Sequence, residues 1–201
     1  MNAGEAVLEP VAALQDSETK ARLPGQPAMW FFVLGDLWIF TCYFACYGYD
    51  RSQSSDAFLL GQQSLSQGVG AINTLLLLTS SLFIALCVQA VRAGLLRQAK
   101  QFLLLGAGCG VVFLLVKIFE WGTKINTGLV PGSEHFFIYY FMFTGLHFLH
   151  VCLGLLFLIL VYREIASSRQ VKVEFVESGA IYWHMVDLLW IVIFALLYLL
   201  R

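Results

Sequence analysis

Two histidines one turn apart, His147 and His150, stand in the stretch FTGLHFLHVCLG (residues 143–154), inside an apolar run reaching from 136 to 162. A run of that length crosses a bilayer, and ionisable side chains at that depth must face protein or a water-filled cavity rather than lipid. Imidazoles so placed can relay protons, hold a haem between facing helices, or close a polar contact between helices. A second set lies nearer the C terminus. Glu177, His184 and Asp187 recur at spacings of seven and three, which puts them on one helical face. There a carboxylate beside an imidazole makes a charge-assisted pair or fixes the tautomer of a neutral histidine. Three roles stand for this face: an interhelical polar clamp, proton handling or contact with a lipid headgroup, and ligation of a metal or haem. The last needs several convergent ligands with support behind them, which the spacing does not supply, so no metal site is expected.

Asp36 is a different case. Its neighbours Phe32, Val33, Ile39 and Phe40 offer no partner within a turn, so the carboxyl must be protonated or paired across helices. It is the candidate for a proton-related acid, against the alternative of a buried neutral hydrogen-bond donor. Lys117 and Glu120 share a face with Gly106, Gly110 and Phe113, and at a spacing of three they can neutralise each other. Their depth is close to that of Asn73 and Thr74, which defines an expected outer polar cluster of Asn73, Lys117 and Glu120. No residue is expected to be catalytic.

Spans must position these residues. The chain is 59% hydrophobic and 12% charged, far from the composition of soluble proteins. Five runs are long enough to cross a membrane, at about 28–49, 69–91, 99–122, 136–162 and 179–200. A spanning segment must satisfy its own backbone, and these runs lack the alternation of barrel strands, so the expectation is an all-α five-helix bundle. Residues 28–201 form that membrane domain. Residues 1–27, with Glu5, Glu9, Asp16 and Glu18 and no apolar core, read as a mobile cytoplasmic tail rather than a signal peptide.

Orientation follows from lysine and arginine. With the N terminus in the cytoplasm, Lys20, Arg22, Arg92, Arg97, Lys100, Arg163, Arg169 and Lys172 lie inside, against Arg51, Lys124 and Arg201 outside. The C terminus then faces the periplasm of a bacterial inner membrane. On this topology Asp36, His184 and Asp187 share a level, with His150 just beyond it. A net charge of −1 offers no basic surface to nucleic acid. Cys42, Cys46, Cys87, Cys109 and Cys152 all fall in apolar runs without zinc spacing and read as small hydrophobes.

Five pieces of the chain resemble subunit III of the haem-copper oxidases: INTLLLLTSS (72–81), FEW around Glu120, FTGLHFLHVCLG, VES around Glu177 and YWHMVDLLW (182–190). The resemblance runs from about residue 27 to the C terminus and covers all five spans in order. The usual family member has seven spans, and the first two are missing here. This shortened form is similar to NorE-type proteins, the subunit III homologues associated with bacterial nitric oxide reductase, and to short oxidase third subunits. The resemblance implies a subunit with no haem or copper of its own that packs against a haem-containing catalytic subunit, binds phospholipid and sustains turnover or stability. It places nitric oxide reductase first as partner, an aerobic cytochrome c or quinol oxidase second. The family's carbodiimide-reactive carboxylate, a glutamate after serine, falls on Asp36 after Gly35. From the residues alone, a small proton or solute transporter using Asp36, His150, His184 and Asp187 is the alternative of another class.

Overall fold

The computed structural model describes residues 24–132, 134–167 and 170–200, so the expected tail lies outside the described residues up to position 23. Among the described residues there are six α-helices: α1 (Pro27–Gln53), α2 (Ser55–Gln63), α3 (Gln67–Arg92), α4 (Leu96–Asn126), α5 (His135–Ser167) and α6 (Val173–Phe194). A π-helical turn, Ala195–Leu199, continues α6. The five long helices match the five expected spans and are long and apolar enough to cross a membrane. The first four run past their apolar stretches at both ends, whereas α6 with its π-turn stops at Leu199. The largest difference is in α6, which begins six residues before the expected span and so includes Glu177. The short helix α2 has no counterpart in the sequence reading. Its Phe58 and Gly61 pack against Phe136 at the start of α5, and Gln62 is buried against Tyr47 and Leu196.

Two turns that join the spans are built on glycine. After α3, Gly94 has φ +73°, with Gly94 N–H donating to Val91 O (3.0 Å) and Leu95 N–H to Ala90 O (2.8 Å). After α4, Gly128 at φ +83° repeats the pattern on Ile125 and Lys124. Both close orphan carbonyls at a helix end in a left-handed conformation that a Cβ disfavours. At the other extreme, Pro27 opens α1 at a position whose N–H would be unused.

The spanning helix α6 is the axis. Over its most apolar window 56% of residues are buried, against 11% for α1. It packs on α3, α5 and α1, while α3 pairs with α4 and α4 with α5. Trp183 fills the centre. A Cβ on Gly110 of α4 would come within 2.7 Å of Trp183 Cη2, and one on Gly154 of α5 within 2.8 Å of its Cε3, so these glycines are the notches that admit the indole. Gly106 does the same for α3: a Cβ there would meet Ile84 Cδ1 at 2.7 Å, and Ser80 Oγ donates to Gly106 O at 2.7 Å. The small-residue stripe on α4 is thus a close-packing face.

Candidate functional site

The helices begin alternately at two ends. One, the entry end, gathers the start of α1, the end of α3 and the start of α6; the other, the far end, gathers α2, the start of α3 and the π-turn. The predicted polar residues distribute along this axis in separate groups, each created by a contact between spans.

At the entry end, Glu177 of α6 meets Arg92 of α3. Its Oε1 accepts from Arg92 Nε (3.0 Å) and Nη2 (2.7 Å), and its Oε2 accepts the backbone N–H of Gly25 (2.8 Å). Two turns deeper, His184 Nδ1 lies 2.6 Å from Ser81 Oγ of α3. Asp187 follows, buried, with both carboxyl oxygens outside hydrogen-bond geometry among the described residues. His184 and Asp187 share a face without pairing with each other: His184 turns across to a serine of α3 and Glu177 to an arginine of α3. A spacing of three puts two side chains on one face without making them neighbours of each other when each has a partner on the opposing helix.

The imidazole that does meet a carboxylate is His150 of α5. Its Nε2 stands 3.6 Å from Asp36 Oδ2 on α1, both side chains 17% exposed. His150 Nδ1 pairs with Leu146 O at 2.7 Å, and Phe40 packs edge-on to the ring at 5.3 Å. Tyr182 OH approaches His150 O at 3.5 Å. A backbone bond on one ring nitrogen orients the other toward the acid, which is the arrangement that fixes a histidine's tautomer. His147, one turn away, does not join this pair. It is fully buried between Trp190 (ring centroids 5.1 Å) and the edge of Phe113 (5.5 Å), and neither ring nitrogen has a hydrogen-bond partner among the described residues.

Toward the far end, Lys117 and Glu120 form a buried ion pair of 2.8 Å. Tyr198 of the π-turn completes it, accepting from Lys117 Nζ at 2.9 Å and donating to Glu120 Oε1 at 2.7 Å. The rings of Trp190, Tyr140 and Tyr198 lie 4.9, 5.1 and 5.4 Å from the ammonium, a cation–π cage. Asn73, expected in this cluster, is buried nearby in sequence depth but makes no side-chain hydrogen bond among the described residues; its neighbour Thr74 accepts from Trp190 Nε1 at 3.0 Å instead. The carbonyls that a helix end leaves open are taken by side chains: Tyr47 OH and Gln62 Nε2 donate to Leu196 O, and Gln67 Nε2 to Tyr198 O. Sequence reasoning missed Tyr198, Ser81 and Arg92 as partners. A lone tyrosine in the terminal leucine run was the available signal for the first. Among the described residues no three His, Cys, Asp or Glu side chains converge as a metal set would.

The sequence that builds these spans is similar to that of known proteins. The family model described as cytochrome c oxidase subunit III matches residues 12–201. The chain belongs to that family. Among curated subunit III relatives, the cytochrome bo(3) ubiquinol oxidase subunit 3 of Buchnera aphidicola (subsp. Schizaphis graminum) is 27% identical over 176 residues, 85% of this chain and 91% of the relative. The cytochrome c oxidase subunit 3 of Thermostichus vulcanus is 34% identical over 135 residues, 66% of each chain. A haem-copper oxidase subunit I+III from Aeropyrum pernix is 30% identical over 181 residues, 86% of this chain, which spans only 22% of that protein. The chain thus covers almost the whole of at least one subunit III, the Buchnera protein.

Proposed function

We propose that this chain is a subunit without a redox centre of its own that packs against the haem-bearing catalytic subunit of a bacterial respiratory complex and sustains its assembly or turnover. The observation that carries the reading is the end-to-end match with a quinol oxidase subunit 3. The Aeropyrum relative, whose name joins subunits I and III in one chain, supports a position beside the catalytic subunit. A haem-copper oxidase is therefore the first partner. Nitric oxide reductase is the second, resting on the likeness of the shortened form to NorE-type proteins. Shortness does not separate the two, because a quinol oxidase subunit is about as short.

Asp36, which faces His150, is the acid of this reading, feeding or tuning proton uptake by the partner. The orientation that goes with it puts the entry end, with Arg92, Arg97, Lys100, Arg163 and Lys172, in the cytoplasm, and Arg51 and Lys124 outside. Membrane phospholipid is the proposed ligand of the entry-end groove of about 220 Å³ whose walls include Gln89, Arg92, Glu177 and His184. Deleting the chain tests the proposal: the partner's activity or accumulation should fall while its haem type stays the same. Unchanged activity across aerobic and denitrifying growth would sink it.

A further inference from the structure

Of the spans, α1 is held least by packing. Among its described residues Val33, Phe40 and Tyr47 alone are buried, and they recur every seven positions, the narrow seam of a helix that touches its neighbours along one line. Asp36 and Asp50 fall on the same seam three residues further on. They meet α5 at His150 (3.6 Å) and at Tyr139, whose OH donates to Asp50 Oδ2 at 2.6 Å. The opposite face is bare: Phe31 is 80% exposed and Trp38 72%. A seam of this kind resists separation but restrains axial sliding weakly, since a small slide exchanges one apolar contact for another. Polar contacts, which fail within about an ångström, are more demanding.

Tyr47 and Asp50 tie the far end of α1, and a second axial restraint is at the entry end. Glu177 Oε2 accepts Gly25 N–H at 2.8 Å, while Arg92 grips Oε1 with two donors. Ser178 Oγ accepts Gln26 N–H at 2.9 Å and itself donates to Glu174 O at 2.8 Å. Gly25 has φ +73°, and a Cβ on it would stand 2.8 Å from Ile181 Cδ1, so the backbone lies directly on α6. Trp30 Nε1, donating to Pro24 O at 3.1 Å, ties the first turn of α1 to the same segment. From Gly25 to Asp36 is about 16 Å of nearly continuous helix, which transmits an axial shift without absorbing it.

We infer that Glu177 is a positioning residue: steadied by Arg92, it pins the entry of α1 to α6 and so sets the height at which Asp36 meets His150. The inference rests on the reading of Asp36 as the functional acid and gives Glu177 a role in it at a distance. The test measures the α1–α5 distance by double electron–electron resonance in the full-length protein in nanodiscs, with the native cysteines replaced. Spin labels go on the exposed Leu34 of α1 and Ile138 of α5, which lie at opposite ends of the bundle so that their separation is largely axial, with a control pair on the exposed Leu82 of α3 and Leu104 of α4. In Glu177→Ala the α1–α5 distribution should broaden and shift by about 3 Å, two residues of helix rise, while the control pair stays as in the parent. Gly25→Ala, which keeps the carboxylate but lifts the strap, should give the same result. Parent-like α1–α5 distances in both variants overturn the inference, and so does an equal shift of the control pair, since Glu177 would then hold the whole bundle. If the distances shift but Asp36→Asn leaves the partner's turnover intact, the positioning stands and the function assigned to Asp36 falls.

Discussion

Lys117 and Glu120, one turn apart on α4, form a 2.8 Å ion pair that is almost wholly removed from the surface and closed by the hydroxyl of Tyr198. Removing one partner of a buried pair strands the other, at a cost of about 3–5 kcal/mol, whereas replacing both by apolar groups of similar volume is far milder. Lys117→Met and Glu120→Leu should therefore each lower the thermal midpoint of the detergent-solubilised protein sharply, and the double variant should recover most of the loss. Additive losses in the double variant would contradict the pairing.

His184 and Ser81 provide a smaller test. Their 2.6 Å contact joins α6 to α3, and one such bond contributes about 1 kcal/mol. Ser81→Ala and His184→Ala should show a coupling energy of that order in a double-mutant cycle followed by denaturant unfolding. A cycle between His184 and Asp187, neighbours in the sequence pattern but unbonded in the fold, should give a clearly smaller value.

The seat of Trp183 is tested by filling it. Gly110→Ala and Gly154→Ala each place a methyl within 3 Å of a fully buried indole, an overpacking that costs about 1–3 kcal/mol. Gly108→Ala and Gly145→Ala, where nothing lies within 4 Å, should leave the unfolding midpoint unchanged or raise it slightly. Equal effects at all four glycines would remove the notch.

These cases show how far the sequence carries. The five spans follow from apolar length, because a bilayer imposes that length on any crossing helix. Lys117 with Glu120 is legible because both lie within one turn. Tyr198, 78 residues from Glu120, is not, for its position depends on how α6 widens into a π-turn at its end. Ser81 for His184 and Arg92 for Glu177 were hidden for the same reason: the partner sits on another helix, and helix order in space is not written in any single span. The helix α2 was missed because SDAFLLGQQ is too short to cross a membrane and lies between two runs that do. The Asp36 to His150 contact was reachable from depth alone, since α1 and α5 run in opposite directions and bring those positions to one level.

Asp36 separates a functional acid from a packed one. Asp36→Asn keeps the shape but removes the acid that faces His150. The turnover of the purified partner complex should fall about threefold while the amount of complex recovered is unchanged. That is well below the 10²–10⁴ of a group that itself transfers the proton in catalysis. A silent substitution would make Asp36 a packing residue, and a parallel loss of complex and activity would make it an assembly contact.

The most direct measurement is a mild-detergent pull-down of the tagged chain from aerobic and denitrifying cells, with the co-purifying subunits identified by mass spectrometry and their haem content read by absorbance. The account predicts recovery of a haem-bearing catalytic subunit, from a haem-copper oxidase on the first reading and from nitric oxide reductase on the second. A chain that comes out alone under both conditions, or with partners that carry no haem, would contradict it.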